Sequence, residues 1–249
     1  MNIVLLAAGY GTRIRSIFPN IPKALIEVSG KPILGHLVDN VLRLESITKI
    51  IIVTNNLYFN LITQFVKSQD WDQPIQIIND GSSNPEKRLG AIGDLALSLN
   101  QINKTKDLLV LATDKLLEFD LQPAIELSKI KQAPVNLCVK VVDHKSIARK
   151  HGCILLNKKN RIIDFTEKPS SPKSLIASLA VSILTSNVLD EIPIYLESGG
   201  KIDAPGYFMS WLSKRTAVYG YIVPGKVYDV GTPETFDEAV KSFRPINNQ

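Results

Sequence analysis

The chain alternates between short continuous apolar runs and longer stretches in which apolar residues recur every three or four positions. Asn2 to Ala8 is such a run, the pattern of a strand buried on both faces. Pro32 stands at the first turn of a predicted helix, with Ile33, Leu34, Leu37, Val38, Val41 and Leu42 along one stripe. Lys49 to Thr54 is rich in β-branched residues and predicts a second strand, and Tyr58, Leu61, Ile62, Phe65 and Val66 mark the next helix. The alternation continues through Ile75 to Ile78 (strand), Leu89 to Leu99 (helix), Leu108 to Ala112 (strand), a helix from about Leu121, and Val135 to Val142 (strand). Repeated strand–helix units predict an α/β fold with a mostly parallel sheet flanked by helices. Such sheets bind ligands beyond the carboxyl ends of their strands, where the strand order reverses.

Past residue 150 the pattern changes. Gly152 to Leu156 and Arg161 to Glu167 read as short strands around Asn157-Lys158-Lys159-Asn160, a hairpin. Ala180 to Leu184 is again strand-like, and a short helix carries Tyr207, Phe208, Trp211 and Leu212 inward. Tyr228 to Val230 precedes a closing helix that Pro233 begins and that buries Phe236, Ala239, Val240 and Phe243. The expected organisation is one domain over 1–244, with an α/β core at about 1–134 and an insert-rich part at about 135–244. Residues 245–249 are expected to fray.

Composition narrows the class. The 249 residues are 45% apolar and 21% charged, enough for a substantial core. The formal charge of +5 is spread along the chain, which argues against a nucleic-acid arm. Cys138 and Cys153 are the only cysteines; two thiols without a CxxC spacing frame no disulfide scaffold, and a cytoplasmic location is expected. Met1 to Ala8 is too short and too lightly charged for a signal peptide or a membrane span.

The sequence Leu5-Leu6-Ala7-Ala8-Gly9-Tyr10-Gly11-Thr12-Arg13 follows the first strand immediately. Its glycines let the backbone curl so that successive N–H groups face an anion, and Arg13 adds a bidentate phosphate donor. A dinucleotide fingerprint would need a third glycine where Ile14 stands, and a Walker loop would need Gly-Lys-Ser/Thr, which does not occur. Alone, the segment fits a plain tight turn equally well.

Further along stand Pro22-Lys23-Ala24-Leu25, Gly30-Lys31-Pro32-Ile33-Leu34, Arg88-Leu89-Gly90-Ala91-Ile92-Gly93-Asp94-Leu95, Ala112-Thr113-Asp114 with Phe119-Asp120-Leu121, Lys150-His151-Gly152-Cys153, Phe165-Thr166-Glu167-Lys168-Pro169 and Tyr228-Asp229-Val230-Gly231-Thr232-Pro233. In this order, and over nearly the whole chain, they resemble the sugar-1-phosphate nucleotidyltransferases, the family of glucose-1-phosphate thymidylyltransferases and related pyrophosphorylases. The resemblance implies a Rossmann-like, GT-A-like nucleotidyltransferase fold, with a nucleotide-binding core at about 1–134 and a sugar-phosphate-binding part at about 135–244. It also implies transfer of a nucleotidyl group from a nucleoside triphosphate to a sugar 1-phosphate, with release of pyrophosphate and use of Mg²⁺.

Carried residue by residue, the resemblance puts Leu6, Ala7, Ala8, Gly9, Gly11 and Thr12 on the nucleotide, with Asn79, Asp80 and Gly90 toward the base. It puts Arg13 on the leaving pyrophosphate and Lys23 on the phosphates. Lys168 falls on the sugar 1-phosphate, Glu167 on sugar hydroxyls, and Gly152 offers its N–H to the sugar. Asp114 and Asp229 become the Mg²⁺ ligands, and replacing either by alanine is expected nearly to abolish turnover with the fold intact. Bland readings stand beside these: a strand-end Asp is often a helix cap, Asn79-Asp80-Gly81 reads equally as a turn, and lone Lys or Glu residues are usually solvated. His36, His144 and His151 lack metal spacing and are read as structural or surface residues.

Three places depart from the family pattern. Thr113 replaces the usual glycine, and Lys115 follows the metal Asp where many relatives carry Asn, with Asp120 or phosphate as its expected partner. Ala177 to Ser182 replaces a stretch that often carries Gly and an aromatic. The family's long C-terminal extension or β-helix is not expected. The alternatives kept open are a cytidylyltransferase acting on a non-sugar phosphate and a non-catalytic sugar-nucleotide-binding protein. The expected partners are the nucleoside triphosphate and the sugar 1-phosphate, without nucleic acid or membrane; a homo-oligomer is left open.

Overall fold

The computed structural model describes residues 1–246. In chain order its strands are β1 (Asn2–Leu6), β2 (Glu27–Val28), β3 (Lys31–Pro32), β4 (Lys49–Thr54), β5 (Ile75–Asn79), β6 (Leu108–Ala112), β7 (Lys115–Leu117), β8 (Val135–Lys140), β9 (Cys153–Leu156), β10 (Ile162–Thr166), β11 (Ile176–Leu184), β12 (Tyr219–Ile222) and β13 (Val227–Asp229). The α-helices are α1 (Ile33–Leu42), α2 (Phe59–Lys67), α3 (Gly90–Leu99), α4 (Gln122–Lys131), α5 (Glu191–Glu197), α6 (Pro205–Leu212) and α7 (Pro233–Ser242).

Nine strands form the central sheet. Strand β1 runs parallel to β4 on one side and β6 on the other, and β5 extends the parallel set beyond β4. On the far side β11 runs antiparallel to β6, and β8, β9, β10 and β12 follow, so the sheet is mixed, with the parallel set around β1 that the strand–helix units predict. The alternation of side chains explains the layering. Ile3, Leu5, Leu109 and Leu111 face one core with Leu34, Leu37 and Val41 of α1. Val4, Leu6 and Val110 face the other with Ile92, Leu95 and Leu99 of α3. The strand order reverses at β1, between β4 and β6, which puts the loop after β1 where ligands are expected.

Several local expectations change. Pro32 ends the short strand β3, and α1 begins at Ile33. On α7 Val240 is 48% exposed, whereas Phe243 just past the helix end is buried; the inward stripe is narrower than the apolar letters implied. The register of β11 slips between Ser178 and Ser182, where Ala180 takes a left-handed φ of 55°. The hairpin loop forms as read, with Asn157 Oδ1 accepting from the N–H groups of Lys159 and Arg161. Of the expected fraying tail, Ile246 accepts a hydrogen bond from Arg43 at 2.5 Å, and residues 247–249 lie outside the described residues.

Both cysteines are buried and free, and burial pushes the Cys138 thiol up to about 12. Among the described residues no helix is long and apolar enough to cross a membrane.

Candidate active site

A cleft of about 1350 Å³ opens at the carboxyl ends of β1 and β6. One wall is the turn after β1. Ala7 N–H donates to Val53, and the Ala8 carbonyl accepts from the buried side chain of Asn55 at 2.9 Å. The Tyr10 hydroxyl meets Ser82 at 3.0 Å. Gly11 has a φ of 61°, which a glycine adopts without strain, and its carbonyl accepts from Ile14 and Arg15 to close the turn. Leu6, Ala7, Ala8, Gly9, Gly11, Thr12 and Arg13 all line the cleft.

The opposite edge comes from β6. Leu6 pairs with Ala112, and Thr113 donates to the Leu6 carbonyl through both its N–H (3.2 Å) and its hydroxyl (2.9 Å). Thr113 therefore ties the two strand ends together. Asp114 then enters the cleft. Asp229 arrives from more than a hundred residues away, because β13 pairs antiparallel with β7 and sets Asp229 opposite Lys115. The Val230 N–H donates to the Asp114 carbonyl at 3.0 Å. Thr232 caps α7 with a reciprocal capping box, fixing the chain just past Asp229.

The two carboxylates converge on an ammonium. Lys115 Nζ lies 3.3 Å from Asp114 Oδ1 and 3.0 Å from Asp229 Oδ2, with its side chain 7% exposed. Lys23 Nζ lies 3.5 Å from Asp114 and 4.0 Å from Asp229. Burial works against the charge on Asp114, but Lys115 and Lys23 outweigh it and hold the carboxyl well below its usual range. Burial likewise opposes the charge on Lys115, and Asp114 and Asp229 outweigh it. Asp120, offered from sequence as a partner for Lys115, instead accepts from the Gln122 N–H. Two strand-end carboxylates are a suitable donor set for Mg²⁺. The position between them is filled by Lys115, however, so the residues as arranged do not fit a divalent ion there. Among the described residues no group of three or more His, Cys, Asp or Glu side chains could hold a metal.

The third wall carries Gly152, Glu167 and Lys168. A Cβ on Gly152 would stand 2.7 Å from Glu167 Oε2, and one on Gly206 would overlap the same oxygen. Both glycines thus make room for the carboxylate beside the first turn of α6. Burial raises the Glu167 carboxyl above its usual value, with Lys168 and Lys115 acting the other way. Lys168 has a left-handed φ of 48° and donates its N–H to the His151 carbonyl at 3.2 Å. Neither Lys168 nor Arg13 forms an ion pair among the described residues.

The remaining expected base-side residues divide. Gly90 lines the cleft. Its φ is 73°, and an added Cβ would lie 2.6 Å from the Ile202 carbonyl. Gly90→Ala is expected to destabilise the fold by at least about 2 kcal/mol, read from urea unfolding, since left-handed strain and a backbone clash add. Asn79 and Asp80 do not line the cleft. Asn79 accepts from the Gly81 N–H and donates to Asn56, and Asp80 accepts from the Ser82 N–H and hydroxyl, so both build a turn.

Among the cleft residues not singled out from the sequence are His151 and Asp94. His151, set aside as structural or surface, lines the cleft, with its pKa lowered by burial and then by Lys115; its place beside Gly152 was the available signal. Asp94 of α3 is 5% exposed, with Oδ1 buried and unpartnered. Burial pushes its pKa up to about 8, helped by the neighbouring Asp80 carboxylate. A carboxyl raised above its unfolded value of 3.8 stabilises the fold fully below that value and loses the contribution as pH rises toward about 8. Wild-type stability should therefore fall relative to Asp94→Asn between about pH 5 and pH 8, by up to about 1.4 kcal/mol per pH unit. Parallel urea-unfolding curves for the two proteins across that range would contradict this.

A cleft at the switch point of an α/β sheet, rimmed by a glycine turn and lysines, is the arrangement expected where such folds receive an anionic ligand. The chain belongs to the nucleotidyl transferase family, whose model matches residues 2–244. It is 24% identical to mannose-1-phosphate guanylyltransferase 1 of Arabidopsis thaliana over 98% of this chain, and 26% identical to UTP–glucose-1-phosphate uridylyltransferase of Synechocystis sp. over 100% of it. The matches span 64% and 65% of those relatives' own lengths. Among solved structures, a candidate glucose-1-phosphate thymidylyltransferase from Bacillus anthracis in complex with a sucrose superposes with a TM-score of 0.83 at 21% identity, over 100% of this chain and 97% of that one. A UDP-glucose pyrophosphorylase complexed with UDP-glucose gives 0.78 at 20% identity, over 96% and 97%. At these identities the structural likeness establishes the shared fold.

Proposed function

We propose that this chain is a sugar-1-phosphate nucleotidyltransferase, acting as a single domain over residues 1–244 in the cytoplasm. One observation carries the reading: the glycine turn, the Lys23–Lys115–Asp114–Asp229 cluster and the Glu167–Lys168 wall face one cleft. A phosphate of the sugar substrate attacks the α-phosphorus in line, a new P–O bond forms, and the bond to the β-phosphate breaks to release pyrophosphate. The task is to align two anions and neutralise their charge. Backbone N–H groups of the turn hold the triphosphate, with Arg13 at the departing pyrophosphate and Lys23 at the phosphates. Lys168 holds the sugar phosphate, while Glu167 accepts from sugar hydroxyls and Gly152 supplies its N–H.

Magnesium enters this proposal as the ion carried by the triphosphate, and no step uses an ion on the Asp114–Asp229 pair. The mannose-1-phosphate and glucose-1-phosphate in the relatives' names support a hexose 1-phosphate as acceptor. Pyrophosphate release should be followed with each common triphosphate against a panel of sugar 1-phosphates. Release with at least one pair is expected. Nucleotide binding without release for any pair would sink the enzymatic reading.

A further inference from the structure

We propose that Lys115 is a built-in cation of the transfer site, its ammonium taking the position between Asp114 and Asp229 that a divalent ion would otherwise need. The inference rests on the transferase reading and concerns the charge at the same cleft. Three observations lead to it. The ammonium lies within hydrogen-bond reach of both carboxylates, at 3.3 and 3.0 Å. Cross-strand pairing of β7 with β13 sets Lys115 opposite Asp229, so sequence-distant groups meet through backbone register. The Lys115 side chain is itself nearly buried, which leaves it little room to withdraw.

The charge count agrees. Asp114 and Asp229 contribute two negative charges, and Lys115 with Lys23 contributes two positive ones. The cluster is neutral without a metal, so it offers little attraction to a divalent ion and opposes one with an ammonium at close range. Both lysines also line the cleft, where they can meet negative charge developing on the α-phosphate. An ammonium cannot be chelated away. The protein's own demand for a divalent ion is therefore confined to the one that accompanies the triphosphate.

The test is Mn²⁺ binding to the substrate-free protein, followed by electron paramagnetic resonance, for wild type, Lys115→Asn, Lys115→Met and the double variant Lys115→Asn with Asp229→Asn. Wild type should show no stoichiometric site. Lys115→Asn and Lys115→Met, checked for folding by thermal melting, should each gain one site at least tenfold tighter than any wild-type binding, and the double variant should lose it. One Mn²⁺ bound by wild type, with an affinity that Asp229→Asn removes, would overturn the proposal, and this comparison needs no Lys115 variant to fold. Equal Mn²⁺ binding with and without Lys115 would overturn it as well. Because no substrate is present, the readout is independent of turnover. The expected Mn²⁺ pattern, alongside an absence of transfer with every substrate pair, would sink the transferase reading and leave the charge substitution standing.

Discussion

Replacing Asp114 by alanine is expected to lower turnover by at least about 100-fold and, in the same protein, to cost about 2–3 kcal/mol of stability. The first effect follows from removing a carboxylate that positions Lys23 and Lys115 against the phosphates. The second follows because Lys115 is nearly buried and keeps only Asp229 as a partner once Asp114 is gone. Removing one member of a buried ion pair ordinarily costs about 3–5 kcal/mol, and the side chain of Asp114 is 37% exposed, which places the figure at or below the low end. This revises the expectation from sequence that the fold would be untouched. Combining Asp114→Ala with Lys115→Met should recover most of the lost stability and none of the turnover. Urea unfolding and steady-state kinetics on the same preparations separate the two effects. A stable Asp114→Ala protein would show that the cluster does not hold β6, β7 and β13 together.

Lys168→Ala is expected to behave differently, with a loss of about 100–1000-fold in kcat/KM and a stability change within about 0.5 kcal/mol. Lys168 has no ion pair among the described residues, so its removal orphans no partner. Its backbone is held left-handed by the N–H bond to the His151 carbonyl, a contact that alanine keeps. A residue held in a strained conformation with an unpaired charge facing a cleft is the arrangement expected where anion binding repays the strain. A Lys168→Ala protein with near-normal kcat/KM would remove the lysine from the sugar-phosphate role.

The sheet was legible because each buried strand is a contiguous apolar run and each early helix has a clear apolar stripe. Asn2 to Leu6 and Lys49 to Thr54 are examples. Where elements are short the signal fails. β12 has four residues and includes Gly220, whose missing side chain makes room for Leu156. α5 has seven residues and β7 only three; none is long enough to show a period. The candidate site was legible as a set of motifs, and the cleft does gather most of them. Their pairings were not. Lys115 meets Asp229 through the register of two three-residue strands, a relation that no spacing along the chain encodes. Asn79 and Asp80 carry letters that serve a base contact or a turn equally well, and only their hydrogen bonds to Gly81 and Ser82 distinguish the two. His151 was passed over because a lone histidine in a basic stretch has no pattern of its own; its position follows from the fold of the neighbouring glycine.

The proposed chemistry has a simple isotopic signature. A triphosphate labelled at its α-phosphorus should be incubated with the protein, magnesium and the sugar 1-phosphate that supports pyrophosphate release. The label should appear in a nucleoside diphosphate sugar, with the pyrophosphate unlabelled and formed in equal amount. Label recovered in free nucleoside monophosphate, or label left in the triphosphate across the whole substrate panel, would contradict transfer to a sugar phosphate in this cleft.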